Sequence, residues 1–160
     1  MLLDPQIGEN PRVSDGNLLL IGYGNPLRGD DGVGPKVVAA VEALRLPGVR
    51  TMVCHQLTPE LADPISTARG VVFVDAAVGA GAEARALPLA PGGGAPVLAH
   101  AADPRLLLAL ARQVFGRCPP AWWLTIPAED LGFGERLSPL AQRGFTAAIA
   151  EIQRLARPAS

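Results

Sequence analysis

The sequence predicts an α/β fold, a doubly wound sheet of about five strands with helices on both faces. Short apolar runs alternate with helical patterns along the chain, and the run at 70–75 is apolar almost throughout, as in a parallel strand buried on both sides. No internal repeat or long linker divides the 160 residues, of which 49% are hydrophobic, enough for one substantial core. We therefore expect a loose N-terminal arm over 1–17 and a single domain over 18–157.

The first strand and helix are predicted from a change in hydrophobic period. Residues 18–22 form a short apolar run, which is typical of a buried strand. Valines then recur over 33–44 at the spacing of one helix face, and Pro35 suits the first turn of that helix. Asp30 or Asp31 can cap the start of the helix.

The middle of the chain predicts two further strands around a short helix. A strand near 49–54 precedes the segment 58–61, which combines an N-cap residue, a first-turn proline and an acidic residue. Pro64 lies inside the helix that follows, so this helix must be short or kinked. The clearest central strand is 70–75, and it ends in Asp75.

The last part of the chain continues the alternation. A weaker strand is predicted at 83–89, and a glycine-rich loop follows at 91–96. A helix over 105–115 begins after an Asp-Pro pair and ends at a glycine. A further strand at 122–126 and a long helix over 138–155 complete the pattern.

Composition excludes several classes of function. The formal net charge is −1, which does not favour nucleic acid or an anionic membrane as a partner. No apolar run approaches the roughly 20 residues of a membrane span, and residues 1–17 lack the pattern of a secretory signal. Cys54 and Cys118 form no metal-type pair, so we expect reduced thiols in a cytoplasmic protein.

The stretch from Gly22 to Gly34 lies where the first strand passes into the first helix. Ligands of open α/β sheets bind at such carboxyl ends of strands, and glycine lets the backbone approach them closely. A dinucleotide is disfavoured, because Leu27 replaces the third glycine of G-x-G-x-x-G and two aspartates would repel phosphate at the helix start. The acids Asp30 and Asp31 instead favour a cation or a proton donor.

Asp31 and Asp75 follow two predicted strands. If those strands are neighbours in a parallel sheet, both carboxylates point into one crevice, although capping of local turns is an alternative role for each. His100 lies in a loop and is the better candidate for a third ligand, with His55 as the competitor. Two oxygens and one nitrogen, with open positions, suit recognition of an ion already held elsewhere. No G-x-S-x-G elbow is present.

Several motifs together resemble the [NiFe]-hydrogenase maturation endopeptidases, which trim the C-terminal tail from the hydrogenase large-subunit precursor. The segments are GYGNPL with DDGVG in the first loop, HQLTPEL after the second strand, VDA at the central strand, and FG followed by LSP before the last helix. Their order and spacing extend the resemblance over about 18–155.

The resemblance implies a three-layer α/β/α sandwich with a mostly parallel five-stranded sheet. It also implies three residues that contact nickel, here Asp31, Asp75 and His100. Asp31 is often Glu in the family, and the residues after His100 depart from the pattern that the family leads us to expect. The predicted substrate-binding residues are Gly24, Asn25, Asp30 and His55.

By the same resemblance, the nickel arrives on the substrate and the enzyme has no permanent cofactor. The partner is a nickel-loaded large-subunit precursor, and we expect a cytoplasmic monomer. Asp31 and Asp75 are the predicted catalytic residues, with attack either by a nickel-polarised water or by a water that one carboxylate activates. Asn25 and the backbone N–H groups of Gly24, Gly29 or Gly32 are candidates to stabilise the oxyanion.

Two alternatives share the same acidic crevice. One is a non-catalytic nickel or precursor chaperone of the same fold. The other is a peptidase of broad specificity, which the lack of a self-contained ligand set or nucleophile disfavours. The aromatic residues Tyr23, Trp122, Trp123 and Phe133 are predicted to lie mostly in the core, although they are also candidates for a recognition groove.

Overall fold

Five strands and four helices make up the part of the chain that the computed structural model describes, residues 17–92 and 103–157. The strands are β1 (Leu18–Tyr23), β2 (Val49–Cys54), β3 (Gly70–Val78), β4 (Arg85–Leu89) and β5 (Ala121–Ala128). The helices are α1 (Val33–Leu44), α2 (Ala62–Thr67), α3 (Pro104–Phe115) and α4 (Pro139–Ala156), and 3₁₀ turns cover Gly29–Gly32 and Pro59–Leu61. The predicted N-terminal arm falls almost entirely outside the described residues.

The strands form one sheet in the order β2-β1-β3-β5-β4. All neighbours are parallel except β4, which pairs antiparallel with β5 at the edge. Gly22 of β1 lies level with Val74 of β3, so the carboxyl ends of these two strands stand side by side. The predicted α/β fold with a mostly parallel sheet of about five strands is confirmed, and β3 continues three residues beyond Asp75.

Both faces of the sheet are covered, which completes the predicted three layers. On one face, Ile21 and Phe73 pack with residues of α2 and α3. On the other, Leu20 and Val72 pack with residues of α1 and α4. Because side chains alternate along a strand, Asp75 continues the α2/α3 face that Phe73 occupies.

Close packing of α1 on the sheet positions the loop that precedes it. A β-carbon at Gly34 would lie only 2.6 Å from the carbonyl oxygen of Val74 and 2.8 Å from that of Tyr23. Only glycine allows this approach, so the start of α1 lies directly over the junction of β1 and β3. Asp31, three residues earlier, is thereby brought to the ends of both strands.

Two expectations are corrected. Neither aspartate caps α1, whose N-cap position is Gly32 and lacks a side-chain hydrogen bond. Phe133 is 92% exposed, so it lies outside the core, unlike the buried Tyr23. The caps of the later helices follow the usual chemistry, with Asp103 capping α3 and Ser138 capping α4. None of the described helices is long and apolar enough to span a membrane.

Candidate functional site

Asp31 lies in the 3₁₀ turn between β1 and α1, and a tight loop holds its carboxylate. Oδ2 accepts the backbone N–H of Asn25 at 2.7 Å, and the side chain is half-buried. Gly24 has φ +139°, and a β-carbon there would collide with the carbonyl oxygen of Asp31. The glycine is therefore required for the loop to close on Asp31.

Asp75 occupies a half-buried position at the end of the apolar run of β3. Burial raises the pKa of its carboxyl group to about 6, and the negative charge of Asp31 adds to the rise. Hydrogen bonding toward Tyr23, the backbone of Ala76 and Trp123 opposes that rise. A carboxyl group with a pKa near 6 gains and loses a proton close to neutral pH, as general acids and bases must.

Asp31 and Asp75 lie at the carboxyl ends of the neighbouring strands β1 and β3, and the negative charge of Asp31 contributes to the raised pKa of Asp75. Asp31 caps no helix, but one of its carboxylate oxygens does hold the local loop by accepting the N–H of Asn25. The catalytic and metal-binding roles of both residues stay predictions. Within residues 17–92 and 103–157, no group of three or more His, Cys, Asp or Glu side chains is arranged to hold a metal. A cation between the two aspartates therefore needs ligands from elsewhere.

Asp30 differs completely from its neighbour, and its surroundings give no support to its predicted role in substrate binding. Its side chain is fully buried. Oδ2 accepts the N–H groups of Glu129 and Asp130 at 2.9 and 3.0 Å and the hydroxyl of Ser138 at 2.6 Å. Oδ1 accepts the N–H of Ser138 at 2.7 Å. Although burial alone would raise the pKa of Asp30, these hydrogen bonds lower it, so this carboxylate ties the first loop to the start of α4.

Two backbone groups predicted to bind the substrate are already used inside the protein. The N–H of Gly24 donates to the carbonyl oxygen of Cys54, and that of Gly29 donates to the carbonyl oxygen of Gly134. These N–H groups do not form an oxyanion hole. The N–H of Asn25 is likewise engaged by Asp31, and its Oδ1 accepts the N–H of Leu27 at 2.9 Å. Asn25 retains only its side-chain NH₂ for a substrate.

Of the two candidate histidine ligands, only His55 belongs to the described residues. His55 is exposed and follows β2, at the same edge of the sheet as Gly24. His100 lies outside the described residues. Which of the two contacts a metal stays a prediction.

Two residues that the sequence assigned to the core reach the site with polar atoms. Tyr23 is only 5% exposed, and its Oη and the Nε1 of Trp123 are both buried. Neither atom has a hydrogen-bond partner of good geometry in the described part of the chain, yet both are close enough to Asp75 to favour its charged form. The sequence feature that could have identified them is an aromatic residue with a polar group, Tyr23 on β1 and Trp123 on β5, on each of the two strands that pair with β3.

The thiols do not provide an activated nucleophile. Cys54 and Cys118 are free and half-buried. Burial raises the pKa of both thiols, whereas a reactive cysteine has a lowered pKa. A cysteine-peptidase site is therefore not supported at either residue.

Known structures resemble this protein closely, although no protein-family model and no curated protein matches its sequence. The [NiFe] hydrogenase maturation protease HycI from Thermococcus kodakarensis KOD1 is 20% identical, with a TM-score of 0.71 over 91% of this chain and 96% of that chain. The hydrogenase maturating endopeptidase HybD from E. coli is 21% identical, with a TM-score of 0.67 over 85% and 89%. An uncharacterized protein from Wolinella succinogenes is 26% identical, with a TM-score of 0.63 over 87% and 96%. The resemblance predicted from the motifs is thus confirmed at the level of the fold.

Proposed function

We propose that the protein is an endopeptidase that removes the C-terminal extension of a [NiFe]-hydrogenase large-subunit precursor after nickel insertion. The observation that carries the proposal is the pair Asp31 and Asp75, two half-buried carboxylates that interact at adjacent strand ends. This pair lies in a fold shared with several hydrogenase maturation proteases. We expect it to act in the cytoplasm and as a monomer.

In this proposal nickel belongs to the substrate. Two carboxylates alone repel each other and bind a cation incompletely, so they bind well only an ion that brings further ligands. A nickel ion on the precursor supplies both the ligands and the positive charge. Its coordination by Asp31 and Asp75 then holds the scissile peptide in place, which converts a loose encounter into a positioned one.

The reaction is the addition of water to the scissile carbonyl carbon, followed by cleavage of the C–N bond and protonation of the leaving amine. Asp75 is the better general base, because its pKa of about 6 lies nearer to neutral pH than that of an ordinary aspartate. This pKa describes the free protein, and contact with the nickel lowers it, so that Asp75 is ionised when the precursor is bound and able to accept the proton of the water. The side-chain NH₂ of Asn25 and the N–H of Gly32 are the predicted oxyanion donors that remain, since the N–H groups of Gly24 and Gly29 are used elsewhere.

Exposed apolar side chains on two loops, one of which carries Asp31, also suit a protein substrate. Leu27 is 49% exposed and Phe133 is 92% exposed. The N–H of Gly134 donates to the carbonyl oxygen of Leu27 at 2.7 Å, which joins the two loops that carry these side chains. Exposed large apolar side chains on the first loop, which also carries Asp31, and on the loop bonded to it are suited to contact with a macromolecular partner.

The third ligand is proposed to be His100. It precedes Asp103 by three residues, so chain length alone keeps the two Cα atoms within about 11 Å. Burial and the charge of Asp75 raise the pKa of Tyr23, and the negative charge of Asp103 contributes to the same rise. The charge of Asp103 thus acts on the same Tyr23 that Asp75 affects, which supports His100 as the ligand, with His55 as the competitor that the variants below test.

The test is release of the tail from purified precursor, followed by gel electrophoresis and mass spectrometry. We expect cleavage of the nickel-loaded precursor only, and a loss of about 100-fold or more in Asp31→Asn and Asp75→Asn. Glu42→Gln, at the far end of α1, is the control and should cleave normally. Binding of loaded precursor without release of a tail would instead identify a chaperone, and cleavage of metal-free peptides would identify a general peptidase.

Two further measurements address the metal. His100→Ala should lose cleavage while His55→Ala retains most of it, and the reverse result would assign the ligand to His55. Elemental analysis of the purified protein should find less than one metal ion per chain. One tightly held zinc per chain would contradict the substrate-borne role and favour an ordinary metallopeptidase.

A further inference from the structure

The core side of the candidate site contains two polar groups that the proposed reaction does not use. They are the hydroxyl group of Tyr23 and the indole N–H of Trp123, whose donor atoms are buried and unpartnered among the described residues. Tyr23 as a whole is 5% exposed. Buried donors without acceptors are rare in native proteins, because each one loses its hydrogen bonds to water without replacement.

The sheet register places these donors on both sides of Asp75. Gly22 is level with Val74, so Tyr23 on β1 is the next residue along and stands beside Asp75 on β3. Trp123 on β5 is level with Phe73, which lies two residues before Asp75 on the same face. The two donors thus approach the carboxylate from both neighbouring strands.

The charges around Tyr23 keep it a donor. Burial raises the pKa of its hydroxyl group well above the ordinary value, with the negative charges of Asp75 and Asp103 adding to the rise. Hydrogen bonding from Trp123 acts in the opposite direction. The hydroxyl therefore retains its proton at neutral pH, and among the described residues Asp75 is the carboxylate with the larger effect on it.

We propose that Tyr23 and Trp123 are positioning residues that hold the Asp75 carboxylate by donating Oη–H and Nε1–H to its core-facing oxygen. The other oxygen is then directed to the crevice that Asp31 shares. This inference rests on the proposed function only for its effect on cleavage. Hydrogen bonds to a charged acceptor are stronger than those between neutral groups, so two such donors fix the carboxylate more firmly than packing does.

Tyr23→Phe tests the role of the hydroxyl, because it retains the ring and removes only the donor. We expect kcat for the nickel-loaded precursor to fall about tenfold, with KM within twofold of the wild-type value and no loss of thermal stability. Trp123→Phe should lower kcat in the same way. Trp122→Phe is the matched control, because Trp122 packs against the opposite face of the sheet and should retain full kcat.

A second measurement needs no substrate. Carbon-13 NMR of the Asp75 carboxyl group in the free protein should show its titration midpoint move to higher pH in Tyr23→Phe, since a donor to the anion is lost. Trp122→Phe should leave that midpoint unchanged.

The two measurements separate this inference from the proposed function. If the titration midpoint of Asp75 shifts in Tyr23→Phe but the wild-type protein cleaves no precursor, the positioning of Asp75 is supported and the proposed function is rejected. Normal cleavage with neither kcat nor the midpoint changed in Tyr23→Phe would overturn the positioning role and leave the proposed function standing.

Discussion

Asp30 and Asp75 are both withdrawn from solvent, but their surroundings differ in the number of fixed donors. Asp30 is completely buried and receives four hydrogen bonds, and its pKa is lowered despite burial. Asp75 is half-buried beside a second carboxylate, with two nearby donors that form no bond of good geometry, and its pKa is raised to about 6. A carboxylate saturated by fixed donors is a structural element, whereas an unsaturated one beside a like charge is ready to accept a cation or a proton.

The adjacent residues Asp30 and Asp31 repeat this contrast within one turn. Asp30 points into the protein toward Ser138, whereas Asp31 accepts the N–H of Asn25 and its charge contributes to the raised pKa of Asp75. Neighbouring acids in a sequence therefore need not share a function. The following five predictions test this difference, from the largest expected effect to the smallest.

Asp30→Asn should have the largest effect on stability. It removes a buried charge that four donors require, so we expect the free energy of unfolding to fall by about 3 kcal/mol or more. Asp31→Asn is the matched control and should change it by less than about 1 kcal/mol. Urea denaturation at pH 7 measures both, and equal losses would remove the distinction between the two acids.

The stabilisation from Asp30 should also depend on pH. Its pKa is lowered in the folded protein, so its contribution is present above the unfolded value of about 4 and is lost as pH falls below it. Urea denaturation of the wild type should therefore show a fall in the free energy of unfolding between neutral pH and about pH 3. The Asp30→Asn variant should lack the part of that fall that comes from Asp30.

Gly24→Ala should be nearly as disruptive. The substitution combines an unfavourable φ of +139° with a collision between the new β-carbon and the carbonyl oxygen of Asp31, so we expect a loss of about 2–3 kcal/mol and reduced cleavage. Gly134→Ala has the same φ, and nothing lies within 4 Å of its β-carbon. It isolates the conformational cost, about 1 kcal/mol. Similar unfolding curves for the two variants would mean that the loop closure on Asp31 is unimportant.

Ser138→Ala should have an intermediate effect. Its hydroxyl donates to Asp30 at 2.6 Å and accepts the N–H of Ala141 at 3.2 Å at the start of α4. Loss of both contacts should lower the free energy of unfolding by about 1–2 kcal/mol. Ser66→Ala is the control, because that buried hydroxyl donates to the neutral carbonyl oxygen of Asp63 and should matter less. A larger loss at Ser66 would argue against the importance of the Asp30 anchor.

Asp75→Asn should have the smallest effect on the free energy of unfolding, and it should raise that free energy rather than lower it. The raised pKa means that the folded protein binds a proton more tightly than the unfolded chain, so wild-type stability falls as pH rises from about 4 to about 6. Removing the charge should therefore stabilise the variant by about 1 kcal/mol at pH 8, after allowance for partial exposure, and by little at pH 4. Thermal unfolding at the two pH values measures the difference. Destabilisation at pH 8 would indicate that Asp75 has a structural role like that of Asp30.

The order of strands and helices was readable from the sequence because hydrophobic period depends on residues a few positions apart. The run at 70–75 predicted the central strand, and the valines of 33–44 predicted α1. The meeting of Asp31 and Asp75 followed from the rule that parallel strands end at one edge of the sheet. The caps of α3 and α4 were likewise local, since each involves residues within three positions.

Only the tertiary structure decided which polar groups are free. The donors that saturate Asp30 come from 99 to 108 residues away, and no local pattern reports such partners. The same is true of Gly29, whose N–H is taken by Gly134, and of Tyr23 and Trp123, which the sheet brings to Asp75 from two different strands. The sequence by itself determined the architecture through local periodicity, and it determined the pair of acids through the rule that parallel strands end at one edge of the sheet. Which polar groups are occupied by internal hydrogen bonds, and which remain free for a ligand, depended on long-range hydrogen bonding. Such bonding exists only once the chain has folded.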